Sequence, residues 1–171
     1  MKTLTKILLL VVLFAGLTSL AIAASDTAQS TVTITFSEIA ELAASGNPGT
    51  LTIVAPATPG SLPADQSDAT TTMAWTSNVA AGQTRKITGS IASLFDGIDL
   101  YATVTAAGGA GTSAGELKFT AAATDYDFVT SIGNCNTSGE TITFRAAVTA
   151  MVAPYTSTQK VVTWTLTEDA L

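Results

Sequence analysis

Carboxylates are the side chains in this 171-residue chain with the widest chemical reach, and six of them fall in local pairs. Asp65 and Asp68 flank "ADQSD", Asp96 and Asp99 bracket "FDGID", and Asp125 and Asp127 sit in "TDYDF". Two carboxyl groups can divide glycoside hydrolysis between an acid and a nucleophile or base. They can also contribute to a calcium site, but calcium takes about six to eight oxygens, so a single pair needs backbone carbonyls and other loops besides. Acidic residues at turns more commonly initiate and solvate the loop itself. There is no histidine, which removes a His-based triad, most zinc sites and a near-neutral imidazole base together. Cys135 is the only cysteine, so it lacks a partner for an internal disulfide and the neighbour that would activate it as a nucleophile. No catalytic residue, cofactor or metal is assigned, and the expectation is a protein that is not an enzyme.

Aromatic and basic side chains offer binding rather than reaction. Trp75 and Trp164 share parity with apolar neighbours, Met73 for the first and Val162 and Leu166 for the second, which predicts core positions. Tyr101 and Tyr126 fall on or near solvated positions and are the candidate surface-binding residues. Lys86, Lys118 and Lys160 each stand beside an inward position, so their amines are expected in solvent and not in a core cross-link to Asn. "SIGNCNTSG" reads as a loop around Cys135, and Asn136-Thr137-Ser138 fits an N-glycosylation acceptor.

The elements that must position these residues repeat with period two. In "STVTITF", Val32, Ile34 and Phe36 alternate with Thr31, Thr33 and Thr35. The beat returns in "LTIVA" (Leu51, Ile53, Ala55), "TTMAWT" (Met73, Trp75), "KITGSI" (Ile87, Ile91) and "IDLYATVT" (Ile98, Leu100, Ala102, Val104). It continues in "ELKFT" (Leu117, Phe119), "DFVTSI" (Phe128), "TITFRAAVTA" (Ile142, Phe144, Ala146, Val148, Ala150) and "KVVTWTLT". Gly-, Pro- and Asn-containing turns such as "SGNPGT", "LFDGI" and "AAGGAGTSAG" separate these runs. About eight or nine short strands of this kind predict an all-β chain, an immunoglobulin-like antiparallel β-sandwich. "SEIAELAAS", with Ile39 and Leu42 three apart, is the one helical suggestion.

The first residues carry Lys2 and Lys6, an apolar run over residues 7–17, then Ala21-Ile22-Ala23. That is the pattern of a secretory signal peptide over residues 1–23, with a single sandwich domain expected over 24–171. No lipobox cysteine, sorting signal or second apolar span follows, so no integral membrane segment is expected after cleavage. The part after residue 23 has 5 basic and 13 acidic residues. This balance opposes a nucleic-acid partner, which would draw on clustered Lys and Arg. A surface of Thr and Ser suits strands with one solvated face. A secreted, extracellular, cell-surface location follows as the expectation.

The ending "VVTWTLTEDAL" resembles the distal motif of WxL-type surface domains through Trp164, Leu166, Glu168 and Asp169, whereas the earlier tryptophan reads Trp75-Thr76-Ser77 without the leucine. The resemblance implies non-covalent attachment to a Gram-positive cell wall. The overall plan is also similar to that of small secreted bacterial sandwiches and fimbrial subunits: leader, polar spacer, alternating N-terminal strand, Thr-rich body, terminal strand. That similarity implies that the N-terminal strand of one subunit completes the fold of the next, with Val32, Ile34 and Phe36 as the inserted side chains. The alternative for the same segment is docking in its own domain. The functional expectation is a fibre or pilus-like subunit or adhesin assembling by strand complementation, and the alternative is a non-catalytic cell-wall or carbohydrate-binding module. Its partners would then be other copies of itself, or wall and glycan.

Overall fold

The computed structural model describes residues 29–154 and 158–169; the expected signal peptide lies outside them. The chain divides into two units, Met1–Thr35 and Phe36–Leu171. Of the first, only residues 29–35 are described, and they form no regular secondary structure. No helix among the described residues is long and apolar enough to cross a membrane.

The second unit is built from nine strands. These are β1 (Ile39–Ser45), β2 (Gln66–Asn78), β3 (Arg85–Ile91), β4 (Ile98–Val104), β5 (Thr112–Ser113), β6 (Leu117–Lys118), β7 (Tyr126–Ile132), β8 (Cys135–Val148) and β9 (Val162–Glu168). They make a five-stranded sheet in the order β1-β2-β8-β4-β6 and a four-stranded sheet in the order β5-β7-β3-β9. Every pairing is antiparallel. The architecture is an all-β sandwich, as the period-two pattern predicts: alternate residues must leave water together, and two facing sheets bury both sets.

The inward positions carry the core. Met73 and Trp75 from β2, Leu100, Ala102 and Val104 from β4, and Ile142, Phe144 and Ala146 from β8 meet Ile87 and Ile91 from β3 and Phe128, Val129 and Ile132 from β7. Aromatic rings join the layers, Phe119 after β6 with Tyr126 of β7 at 5.5 Å and 89° and Phe144 of β8 with Trp164 of β9 at 6.4 Å and 56°, while Phe128 and Trp164 meet edge to face within one sheet, 5.0 Å apart at 73°. The Trp75 indole Nε1 donates to the Ala110 carbonyl at 3.1 Å, which satisfies its one polar atom inside the core. β7 departs from strict alternation because Ser131 adopts φ 56° and the register against β3 shifts between Arg85 and Ile87. Such a bulge re-aims its neighbours, and Phe128, Val129 and Ile132 are all fully buried.

Several segments differ from the sequence expectation. "SEIAELAAS" holds strand β1 and not a helix, because pairing with β2 places Leu42 opposite Trp75. "LTIVA" forms no strand, although Leu51 packs against the core from an irregular connection. "STVTITF" is likewise not a strand of this chain. "SIGNCNTSG" is not a loop throughout: β8 begins at Cys135, which pairs with Ser77 and is partly buried against the core.

Candidate functional site

Val32, Ile34 and Phe36 are 78%, 85% and 78% exposed. The apolar face expected of them is thus exposed among the described residues, whereas the same alternation is buried in the body strands. Immediately after them the chain is tied down within the second unit. The Asn78 side chain accepts a hydrogen bond from the Ile39 N–H and donates one to the Ser37 carbonyl at 2.9 Å. Arg85 is 5% exposed, and its Nη1 donates to the carbonyls of Ile39 at 2.6 Å and Asn78 at 2.9 Å, while Nη2 pairs with Glu38. A buried guanidinium requires acceptors on most of its donors. Here the acceptors are the Ile39 carbonyl and Glu38 carboxylate at the root of β1 together with the Asn78 carbonyl and the Ser77 hydroxyl of β2, so Ser37 to Ile39 form a fixed attachment point.

The two lateral rims of the sandwich differ. On one side the short strands β5 and β6 and the residues around them close the core: Phe119 is 2% exposed, Ala110 4%, and Ala102, Val104, Phe128 and Val129 not at all. On the other side β1 and β9 are the outermost strands of their sheets and lie against each other across the core. Val162, Trp164 and Leu166 point from β9 toward that core yet stay only partly buried. Gly89 on β3 gives Trp164 its seat, because a Cβ there would lie 2.6 Å from the Trp164 Cζ3.

The tyrosines expected as surface contacts both have partners within the protein. The Arg145 guanidinium lies 3.9 Å above the Tyr101 ring, and the same guanidinium bonds Glu116 through Nε at 2.8 Å and Nη2 at 2.6 Å, with Asp65 on Nη1. The Arg145 hydrogen bond pulls the Glu116 carboxyl below its usual pKa. The Tyr126 hydroxyl accepts the N–H groups of Thr120 and Ala121 at 2.9 and 3.0 Å, so it fastens the loop leading into β7. Its bonds, the Thr120 hydroxyl foremost, hold the phenol below its usual pKa.

The structure does not gather the carboxylates into a reactive group. Asp99 pairs with Lys118, Asp127 with Lys86 at 3.1 Å, and Asp65 with Arg145. Asp68 accepts from the Thr70 hydroxyl at 2.7 Å and its N–H at 3.0 Å inside β2, where the register against β8 shifts, and so lies in a strand and not in the expected loop. Among the described residues no cluster of three or more metal-ligating acids or cysteines occurs.

Two polar groups that sequence reasoning passed over organise the interior. One is Arg85, described above. The other is Glu140, 7% exposed, which accepts from the Thr137 hydroxyl at 2.7 Å, the Thr105 hydroxyl at 2.9 Å and the Ala107 N–H at 3.0 Å. Burial alone pushes this carboxyl up, and the three donors outweigh it and bring it below its ordinary value. Parity was the available signal, since Arg85 shares the phase of Ile87 and Glu140 that of Ile142.

No family model, no curated protein and no solved structure matches this chain.

Proposed function

We propose that this chain is a secreted cell-surface structural protein, a fibre or pilus-like subunit with an immunoglobulin-like sandwich, which assembles by giving the segment around Val32, Ile34 and Phe36 to another copy. The observation that carries this reading is the uncovered apolar phase of that segment, where each of the three side chains is at least 78% exposed. Burying three such side chains is worth roughly 1.5–3 kcal/mol each, about 5–9 kcal/mol together as an upper bound. Whole domains are stable by only about 5–15 kcal/mol. A site that takes this segment therefore gains on the scale of a fold's entire stability, which is enough to couple folding to assembly. The acidic, Thr-rich composition supports the same reading, and Asp65, Asp99, Glu116 and Asp127 are held in ion pairs.

Electron microscopy and light scattering of the purified chain test it. Unaltered protein should form filaments or long oligomers, and Ile34→Asp or Phe36→Asp should leave a soluble, folded monomer. Monomeric unaltered protein at high concentration would refute assembly. Pelleting with peptidoglycan in the absence of filaments would point to the wall-binding function instead.

A further inference from the structure

Resting on the assembly reading above, we infer that the acceptor is the outer edge of β9, and that the occupant is residues 32–36 of a second copy. The hydrogen-bond phase of β9 shows which of its groups face outward. The Ala92 N–H donates to Val161 O at 3.1 Å and the Asp169 N–H to Thr84 O at 2.9 Å. In an antiparallel ladder the bonded pairs recur every second residue. Thr163, Thr165 and Thr167 therefore turn their N–H and C=O groups to β3, where they pair with Ser90, Thr88 and Lys86. Val162, Trp164, Leu166 and Glu168 turn theirs the other way, and β9 pairs with no other strand among the described residues.

The same edge is incomplete in its side chains. Val162, Trp164 and Leu166 are partly exposed, whereas on the opposite side, where β5 covers β7, Phe128, Val129 and Ile132 are fully buried. One further strand on β9 would bring the four-stranded sheet to five, matching the sheet it faces. The strand that fits must be extended, present apolar residues at every second position, and be free to pair. Residues 32–36 have the alternation, with Val32, Ile34 and Phe36 separated by Thr33 and Thr35, and none of the five lies in a strand among the described residues; β-branched Val, Ile and Thr favour the extended form. Docked there, Val32, Ile34 and Phe36 extend the layer of Val162, Trp164 and Leu166, while the threonines of both strands line the solvated face. Natural sheets rarely leave such an edge uncovered.

Disulfide trapping tests the assignment with the full chain. In a Cys135→Ser background, Thr33→Cys or Thr35→Cys is combined with Thr163→Cys, Thr165→Cys or Thr167→Cys. All are exposed positions, and neighbouring strands bring such Cβ atoms to about 4.5–5.5 Å, close to disulfide geometry. Glu41→Cys and Ala43→Cys, on the outward face of β1, serve as the competing edge. Mild oxidation should give a ladder of dimers and higher multiples on a non-reducing gel for at least one β9 pair, collapsing to monomer with reductant, and none for the β1 pairs. Filaments that cross-link only through β1, or through neither edge, overturn the β9 assignment and leave the assembly reading standing. A cross-linked monomer shows the segment docked on its own β9 and overturns the second-copy occupant. Chains that neither associate nor cross-link overturn both.

Discussion

Gly89→Ala is the smallest perturbation that reaches the open rim from the inside. Gly89 lies within β3, opposite Trp164 on one side and Tyr126 on the other. An added Cβ would stand 2.6 and 2.9 Å from Cζ3 and Cε3 of Trp164 and 2.8 Å from Cε2 of Phe128. Phe128 is fully buried and hemmed by Phe119, with ring centroids 5.7 Å apart, so it has little room to retreat. Trp164 sits on an edge strand and is only partly buried, so the strain should be relieved by its indole tilting outward. Overpacking of this kind destabilises by about 1–3 kcal/mol. The unfolded chain loses freedom when Gly becomes Ala, which returns about 0.4–1 kcal/mol. The net loss is up to about 2.6 kcal/mol, a fall in Tm of up to about 12 °C for a domain of this size. Thermal denaturation followed by circular dichroism gives the stability. The emission maximum should move to longer wavelength as Trp164 enters water, while Trp75, 2% exposed, keeps its contribution. Gly89→Ala combined with Trp164→Phe should lose less than the sum of the two single changes, since the clash and the indole are coupled. A Gly89→Ala protein as stable as the parent, with unchanged emission, would refute the packing of Trp164 over β3 and with it the shape assigned to the β9 rim.

Glu140→Gln is expected to destabilise the protein by about 1–3 kcal/mol at neutral pH, because a charged acceptor with three donors becomes a neutral amide. Since the folded carboxyl lies below its ordinary value of 4.5, its contribution is fully present above about pH 4.5 and is lost as pH falls through the lower folded value; melting curves from pH 2 to 7 should therefore show a shallower acid limb in the variant. Asn78→Ala unties Ser37 and Ile39 and should lower stability by about 1 kcal/mol, with limited proteolysis cutting faster between Ser37 and Ile39 while the body stays whole.

Most of the body was legible because its strands obey one rule. Where a residue faces either core or water, parity tells which, as for Met73 and Trp75 or Ile142, Phe144 and Ala146. The expectation failed where a period cannot report a partner. Residues 32–36 alternate as regularly as the body strands and pair with no strand among the described residues, because alternation states that a strand would fit a sheet and is silent on whose. The three-residue spacing of Ile39 and Leu42 points to a helix in β1, yet its register is imposed by Trp75 and the long β2 strand, sequence-distant features outside any local window. The Gly and Asn neighbours of Cys135 predict a loop, and tertiary pairing with Ser77 overrides that local chemistry. Arg85 and Glu140 were missed for a related reason: buried ions break the polar-outside rule, and each is stabilised by donors or acceptors that only the fold assembles.

The position of the attachment point bears on the form an assembly would take. Arg85 fixes Glu38 and Ile39 through its side chain, and in the ladder it pairs with Glu168, the last residue of β9. The root of the segment is thus tied to β3 at the level where the β9 edge ends. Under the proposed pairing each copy would give its segment from one end of the edge on which it receives another. Donor and acceptor are different surfaces, so the contact is heterologous, and a heterologous contact propagates as an open filament unless the rotation per step closes a ring. Loosening the root by Asn78→Ala should consequently disorder the geometry between successive copies while leaving the β9 pairing intact. Filaments of that variant should still cross-link from Thr35→Cys to β9 cysteines but become more flexible in micrographs. Unchanged stiffness would mean that the direction of the chain is set elsewhere than at Arg85 and Asn78.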